Sequence, residues 1–187
     1  ILVTGGTGYI GSHTVVELHN AGYKVVIVDD LSNSDIKILD QIEKIIGLKP
    51  EFHQFDLCDE AKVKAFSDEH SGISGIIHFA ASKAVGESVQ NPLKYYRNNF
   101  FSLINLLNSF NKTNLVFSSS CTVYGQPDSL PVTESAAVKK AESPYGNTKQ
   151  IAEEILTETA AVTPDLNVIA LRYFNPVGAH KTALIGE

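Results

Sequence analysis

The chain has 187 residues, 43% hydrophobic and 19% charged, with 13 Gly, 7 Pro, 2 Cys and neither Met nor Trp. That length and composition suit one buried globular core and exclude a disordered chain, a collagen-like repeat and a disulfide-stapled miniprotein. The formal net charge is −6 and the 15 Lys and Arg are scattered, so no basic stripe for a nucleic-acid partner is present, and no apolar run approaches the roughly 18 residues of a membrane span.

With no Met even at position 1, the sequence is expected to be part of a longer chain. Cys58 and Cys121 are far apart and lack a C-x-x-C or Cys/His ligand spacing, which fits reduced thiols in a cytosolic protein. The six His form no H-E-x-x-H pattern, and no metal is expected.

In chain order, β-branched apolar runs predict strands at residues 1–4, 24–29, 51–55, 75–79, 114–118 and 167–173. Apolar spacing near 3.6 predicts helices between them at 10–20, 35–46, 60–69, 92–110 and 144–159. Strand and helix alternate, which means right-handed crossovers and a doubly wound parallel α/β sheet covered on both faces. Residues 128–143, with mixed charge, read as a surface loop, and no further helix follows Tyr173.

The first strand runs into Thr4-Gly5-Gly6-Thr7-Gly8-Tyr9-Ile10-Gly11, which contains G-x-G-x-x-G as Gly6, Gly8 and Gly11 and G-x-x-G-x-x-G from Gly5. Glycines there allow a tight turn and let backbone N–H groups and a helix N-terminus approach a pyrophosphate. About 20 residues on, the second strand ends in Asp29, the position from which a carboxylate accepts both ribose hydroxyls of a dinucleotide. With no Arg beside it to hold a 2′-phosphate, NAD is preferred over NADP. Asp30 alone reads equally well as part of a solvated turn. Asp56 and Leu57 close the third strand where an adenine would lie, although Asp56 would serve as well as an N-cap for the next helix.

Near the start of the fifth helix, Tyr145 and Lys149 stand at i and i+4, on one helical face. A tyrosine acts as a base near neutral pH only with a cation to hold its phenolate, and Lys149 supplies one. Alone this spacing is that of a common surface pair. Ser118-Ser119-Ser120 ends the fifth strand at the edge where open parallel sheets bind ligands and offers a hydroxyl to the same reacting oxygen.

Glycine turn, strand-end serine and Tyr-x-x-x-Lys, in that order, resemble the extended short-chain dehydrogenase/reductase family. The strings HFAASKAVGES at 78–88, YYRNN at 95–99, SSSCTVYG at 118–125 and LRYFNPVGAH at 171–180 resemble the nucleotide-sugar 4-epimerases within it. That resemblance implies a Rossmann-type NAD domain over residues 1–187, carrying the start of a substrate site, with a substrate domain beyond it. It implies reversible inversion at C4 of a UDP-hexose, a homodimer formed through helices such as 92–110, and Tyr145, Lys149 and Ser120 as catalytic residues. NAD would be held by Gly5, Gly8, Tyr9, Ile10 and Gly11 at the pyrophosphate and by Asp29, Asp30, Leu31, Ser32, Asn33 and Ser34 at the adenosine ribose. Asp56 and Leu57 would hold the adenine, and Phe79, Ala80, Ala81, Ser82, Lys83, Asn98 and Phe174 the rest, with Ser120, Tyr145 and Lys149. Lys83, Ser120, Tyr145 and Asn175 would meet the nucleotide sugar.

The chain departs from the usual pattern at Asp30, where the family has Asn, at Cys121 in place of Ala, and at Ala81-Ser82. No carboxylate stands in Ser120-Cys121-Thr122, where dehydratases of this fold carry one, so elimination of water is disfavoured. Phe79 and Phe174 taken singly would also suit a core, Lys83 a solvated surface, and Asn98 a cap.

Overall fold

The computed structural model describes residues 1–110 and 112–186. Among these, β1 (Leu2–Thr4), β2 (Val26–Asp29), β3 (Glu51–Gln54), β4 (Gly75–His78), β5 (Asn114–Ser120) and β6 (Asn167–Tyr173) form one sheet in the order β3-β2-β1-β4-β5-β6. Every neighbouring pair is parallel. The helices are α1 (Tyr9–Asn20), α2 (Lys37–Ile46), α3 (Glu60–Glu69), α4 (Val85–Gln90), α5 (Pro92–Ser109) and α6 (Pro144–Val162), with a 3-10 turn over Cys121–Tyr124. The expected doubly wound α/β architecture is what the chain adopts.

Local chemistry sets the element ends. Asp59 caps α3, its carboxylate accepting from the Lys62 N–H. Ser143 caps α6 by accepting from the Gly146 N–H, and Pro144 follows at the first helical position, where a missing N–H costs nothing. Gly47 ends α2 in the left-handed region at φ 74°. α4 is missing from the sequence-derived elements, because six residues with a Gly inside show no helical period. β5 runs two residues further than expected, through Ser120, and Ser119 and Ser120 pair with Arg172 and Tyr173 of β6.

Alternation along the strands divides the core in two. Leu2, Val28, Ile76, Leu115 and Phe117 face α3, α5 and α6, packing with Val63, Phe66, Leu103, Leu106, Ala152 and Leu156. Val3 and Ile27 face α1 and α2, meeting Val15, Val16, Leu39 and Ile42. On β6, Val168 joins the first layer. The residues of opposite parity, Ile169 and Leu171, remain 60% and 41% exposed on the other face. Among the described residues no helix is long and apolar enough to cross a membrane.

Leu103 is fully buried at the centre of the larger layer. Leu103→Ala should lower the unfolding free energy by about 2–5 kcal/mol, read from urea denaturation, as expected for a leucine truncated in a core that only partly collapses.

Candidate functional site

The strand order runs outward in opposite directions from β1 and β4, which opens a crevice at their carboxyl ends. The Gly5–Gly11 turn fills the β1 side of it. Gly5 has φ 68°, and a Cβ on it would sit 2.8 Å from the Ala80 N atom; a Cβ on Gly11 would sit 2.1 Å from the Gly5 carbonyl oxygen. Side chains are excluded from both places. The turn is held by the Gly5 N–H donating to the Val28 carbonyl at 2.8 Å and the Gly8 N–H donating to that of Gly5 at 3.1 Å. Gly8 is the N-cap of α1; it supplies no capping side chain, and the first turn carries no acidic residue. The first N–H groups of a 12-residue helix are thereby presented to the crevice, a cradle that fits a diphosphate.

Asp29 ends β2 beside that turn and is 9% exposed. Its carboxylate accepts from the Thr7 N–H (3.2 Å), the Leu31 N–H (3.0 Å) and the Ser34 hydroxyl (3.2 Å). Thr7 and Ser34 also share a hydrogen bond of 2.7 Å. Asp29 therefore draws the glycine turn and the 31–34 loop together, and with about four lone-pair sites it keeps capacity for a further donor. Leu31 adopts φ 61° in this loop. The neighbouring Asp30 carboxylate is exposed and accepts from the Ser32 N–H, the solvated-turn geometry.

At the end of β3 the cap of α3 is Asp59. Asp56 instead accepts from the Cys58 N–H at 2.8 Å and stands at the sheet edge ahead of the helix. Leu57 is 5% exposed and packs within the larger core layer, its carbonyl accepting from the Asn105 amide at 2.8 Å. It lends the site a fixed backbone, while its side chain belongs to the core.

Beyond β4, the loop carrying Phe79, Ala80, Ala81, Ser82 and Lys83 is fixed by Asn99, which ends the 95–99 string but to which the sequence assigns no role. The buried Asn99 accepts from the Ser82 N–H (2.8 Å) and donates to the Ser82 carbonyl (3.1 Å) and the Thr148 hydroxyl (3.0 Å). This couples the loop to α5 and α6. Asn98 donates to the Asn99 side-chain oxygen at 3.2 Å.

α6 brings Tyr145 and Lys149 onto the crevice beside Ser120. Lys149 is 4% exposed; its ammonium donates to the Ser118 carbonyl at 2.7 Å and lies 4.7 Å from the centre of the Phe117 ring. Burial pulls its pKa down to about 8, partly opposed by Glu153. Burial also pushes the Tyr145 phenol above its ordinary value, while a hydrogen bond with Ser120 pulls it down. The direction of the Tyr145 shift is set by its burial. The ammonium, 5.8 Å from the phenol ring centre, is engaged by the Ser118 carbonyl, and desolvation prevails. Ser120 also shapes the local backbone, since its hydroxyl accepts from the Thr122 N–H at 3.2 Å and starts the 3-10 turn.

Beneath the pair lies a network centred on Glu153, a residue outside every quoted string. Glu153, one helical turn after Lys149, accepts from the Ser119 hydroxyl and takes Arg172 bidentately at 3.0 and 2.7 Å. Arg172 in turn lies 4.7 Å from the Tyr124 ring centre. Only the i+4 spacing from Lys149 could have pointed to Glu153, because its partners lie on β5 and β6. Buried His78 is bonded to Thr4 at 2.7 Å and kept neutral, with a pKa lowered to about 3 by burial and then by Lys149. Phe174 is 55% exposed beyond β6, stacked toward Tyr124, and Asn175 follows it at the surface.

Comparison with known proteins agrees with this geometry. Residues 1–185 match the family described as "NAD dependent epimerase/dehydratase family". A curated relative from Pasteurella multocida named UDP-glucose 4-epimerase is 50% identical over all of this chain and 56% of its own length; another from Dictyostelium discoideum is 52% identical over 55% of its own. The chain thus spans about half the length of the curated relatives it matches. Among solved structures, a UDP-glucose 4-epimerase from Stenotrophomonas maltophila with bound NAD and formylated UDP-arabinopyranose superposes with a TM-score of 0.94 at 50% identity. One from Bifidobacterium longum with NAD+ and UDP gives 0.94 at 44%; each covers all of this chain and 56% of the other.

The buried lysine makes stability depend on pH. Its folded pKa of about 8 lies below the 10.5 of an unfolded lysine, so between those values the unfolded chain binds more protons and stability rises with pH. Denaturation from pH 8 to 10 should show this rise for the parent relative to Lys149→Met, whose apolar stem has no proton to lose.

Proposed function

The chain belongs to the NAD dependent epimerase/dehydratase family, and on that premise we propose that its protein interconverts UDP-glucose and UDP-galactose, the nucleotide sugars of galactose metabolism, with tightly bound NAD. The observation that carries this reading is the meeting, at one crevice, of a side-chain-free diphosphate cradle, a buried ribose-directed carboxylate and the Ser120, Tyr145 and Lys149 group. Relatives of about 50% identity bearing the epimerase name support the substrate.

In this reading the backbone of Gly5, Gly8, Tyr9, Ile10 and Gly11 holds the pyrophosphate and Asp29 the adenosine ribose, with the 30–34 loop beside it. Asp56 takes the adenine amino group. The 79–83 loop, Asn98 and Phe174 line the nicotinamide end. Bound NAD supplies a hydride acceptor that returns the hydride to either face of C4, and a positive charge near the phenol. Tyr145 takes the 4-hydroxyl proton and later gives it back. Ser120 would orient that hydroxyl, and Lys149 would hold a ribose hydroxyl and stabilise the phenolate. Lys83 and Asn175 reach the nucleotide sugar. With no net redox change, NAD stays bound from one turnover to the next.

We place the substrate-binding remainder beyond residue 187. The exposed apolar face of β6 at Ile169 and Leu171, and the half-exposed Phe174, supply the surface on which it would pack. A homodimer is supported by the outer groove between α5 and α6, lined by Ile104, Leu107 and Ile155, and by the half-exposed Phe101 beside it on α5. We assign the protein to the cytoplasm.

The whole protein, given UDP-galactose without added NAD, should form UDP-glucose; absence of product with NAD demonstrably bound would overturn the assignment. Tyr145→Phe should abolish turnover while retaining NAD, and Ser120→Ala should slow it by about 10²-fold or more, the scale of a lost proton-handling group.

A further inference from the structure

Far from the crevice, at the edge of the sheet, three chemistry-bearing side chains converge. Glu51 and His53 stand two apart on edge strand β3 and so share a face, and His70 is the residue that ends α3. One oxygen of Glu51, Oε1, lies 2.9 Å from His53 Nε2 and 2.9 Å from His70 Nε2. The three ligand atoms all lie within 4.8 Å of one another.

Hydrogen-bond valence makes this arrangement informative. His70 Nδ1 is 2.9 Å from the Phe66 carbonyl oxygen, which only accepts, so Nδ1 carries a proton. In the neutral ring Nε2 then presents a lone pair to Glu51 Oε1, also a lone-pair bearer. Two acceptors at 2.9 Å require a positive centre between them, either a proton or a metal ion. His53 Nε2 meets the same oxygen, so one carboxylate oxygen gathers two imidazole nitrogens, an arrangement satisfied either by a proton on each ring or by one metal ion held by all three atoms.

The rings are also pre-positioned. His70 stacks on Phe66 at 4.1 Å, and His53 lies edge-on to both Phe66 and His70, at 5.0 and 4.8 Å. Little side-chain freedom is left to lose on binding. A ligating histidine whose other nitrogen donates to a backbone carbonyl has the outer-shell arrangement typical of zinc sites. With bonds of about 2.0–2.2 Å to nitrogen and oxygen, tetrahedral ligand atoms stand roughly 3.3–3.5 Å apart. The two Glu51–His contacts must open by about half an ångström, and the two imidazole nitrogens, within 4.8 Å of each other, must come to the same spacing, within reach of side chains 53%, 32% and 17% exposed for Glu51, His53 and His70.

We propose that Glu51, His53 and His70 form a zinc site, completed by water, that ties the end of α3 to edge strand β3. This site departs from the sequence-based expectation of no metal. The site lies toward the opposite end of the sheet from the crevice, since Glu51 begins β3 and His70 follows the last turn of α3. Zinc there stabilises the fold without entering the chemistry, and the proposal is independent of the epimerase reading.

The test is titration of Zn²⁺ into the metal-free whole protein against a chromophoric chelator, with thermal melting in parallel. The parent should bind one ion per chain at this site at micromolar free zinc or below and melt higher with zinc than without. His53→Gln and His70→Gln should each weaken uptake at least tenfold and abolish the zinc-dependent rise. Melting of each variant without metal, together with its NAD content, reports whether it is folded; His53→Gln, on the more exposed ring, keeps the test valid if His70→Gln unfolds. No uptake below millimolar zinc, or uptake and melting shift unaltered in the folded variant, overturns the site and leaves a Glu–His ion-pair cluster.

Discussion

Two backbones approach within side-chain-free distance where the sheet splits, and the rest of the molecule is arranged around that contact. Gly5 abuts the Ala80 backbone so closely that a Cβ would stand 2.8 Å from its nitrogen. The contact is possible only because β1 and β4 are neighbours whose connections leave in opposite directions. The same geometry places the N-terminus of α1, the end of β2 and the end of β5 on one crevice. Glycine is thus demanded by the topology before any ligand is considered.

Around this crevice the protein tolerates unfavourable burial. Lys149 gives up much of its hydration to reach the Ser118 carbonyl, and its pKa falls accordingly. Tyr145 is pushed the opposite way by the same desolvation. Burial thus loosens the proton on Lys149 and tightens the one on Tyr145, the kind of paired displacement that clusters at functional sites. The Glu153–Arg172 pair with Ser119 locks α6 to β5 and β6 directly beneath, so the displaced pair sits on a rigid base.

Much of this is legible in the linear sequence. The strand–glycine–helix passage and the terminal Asp29 lie within one βαβ unit, and Tyr145 and Lys149 lie within one helical turn, so sequence spacing maps directly onto space. Where contacts span the chain, legibility fails. Asn99 gives no sign in the sequence that it holds Ser82 and Thr148 together. Asp56, which the sequence offers equally as an adenine ligand or as the cap of α3, does not cap it; Asp59 does. The sign of the Tyr145 shift depends on how deeply the phenol is buried, which motif spacing does not encode.

From the sequence by itself came the doubly wound fold, the diphosphate turn and the Ser–Tyr–Lys group, because each is written in residues whose periodicity or adjacency survives folding. Only the tertiary structure decided how Lys149 and Tyr145 titrate, which asparagine and which glutamate hold the site rigid, and that Glu51, His53 and His70 share one point in space. Glu51 and His53 share a strand, but His70 is separated from them by α3, and the three join no recognisable spacing. An edge strand and a helix end bring them within hydrogen-bond reach, and that proximity is a property of the packed sheet.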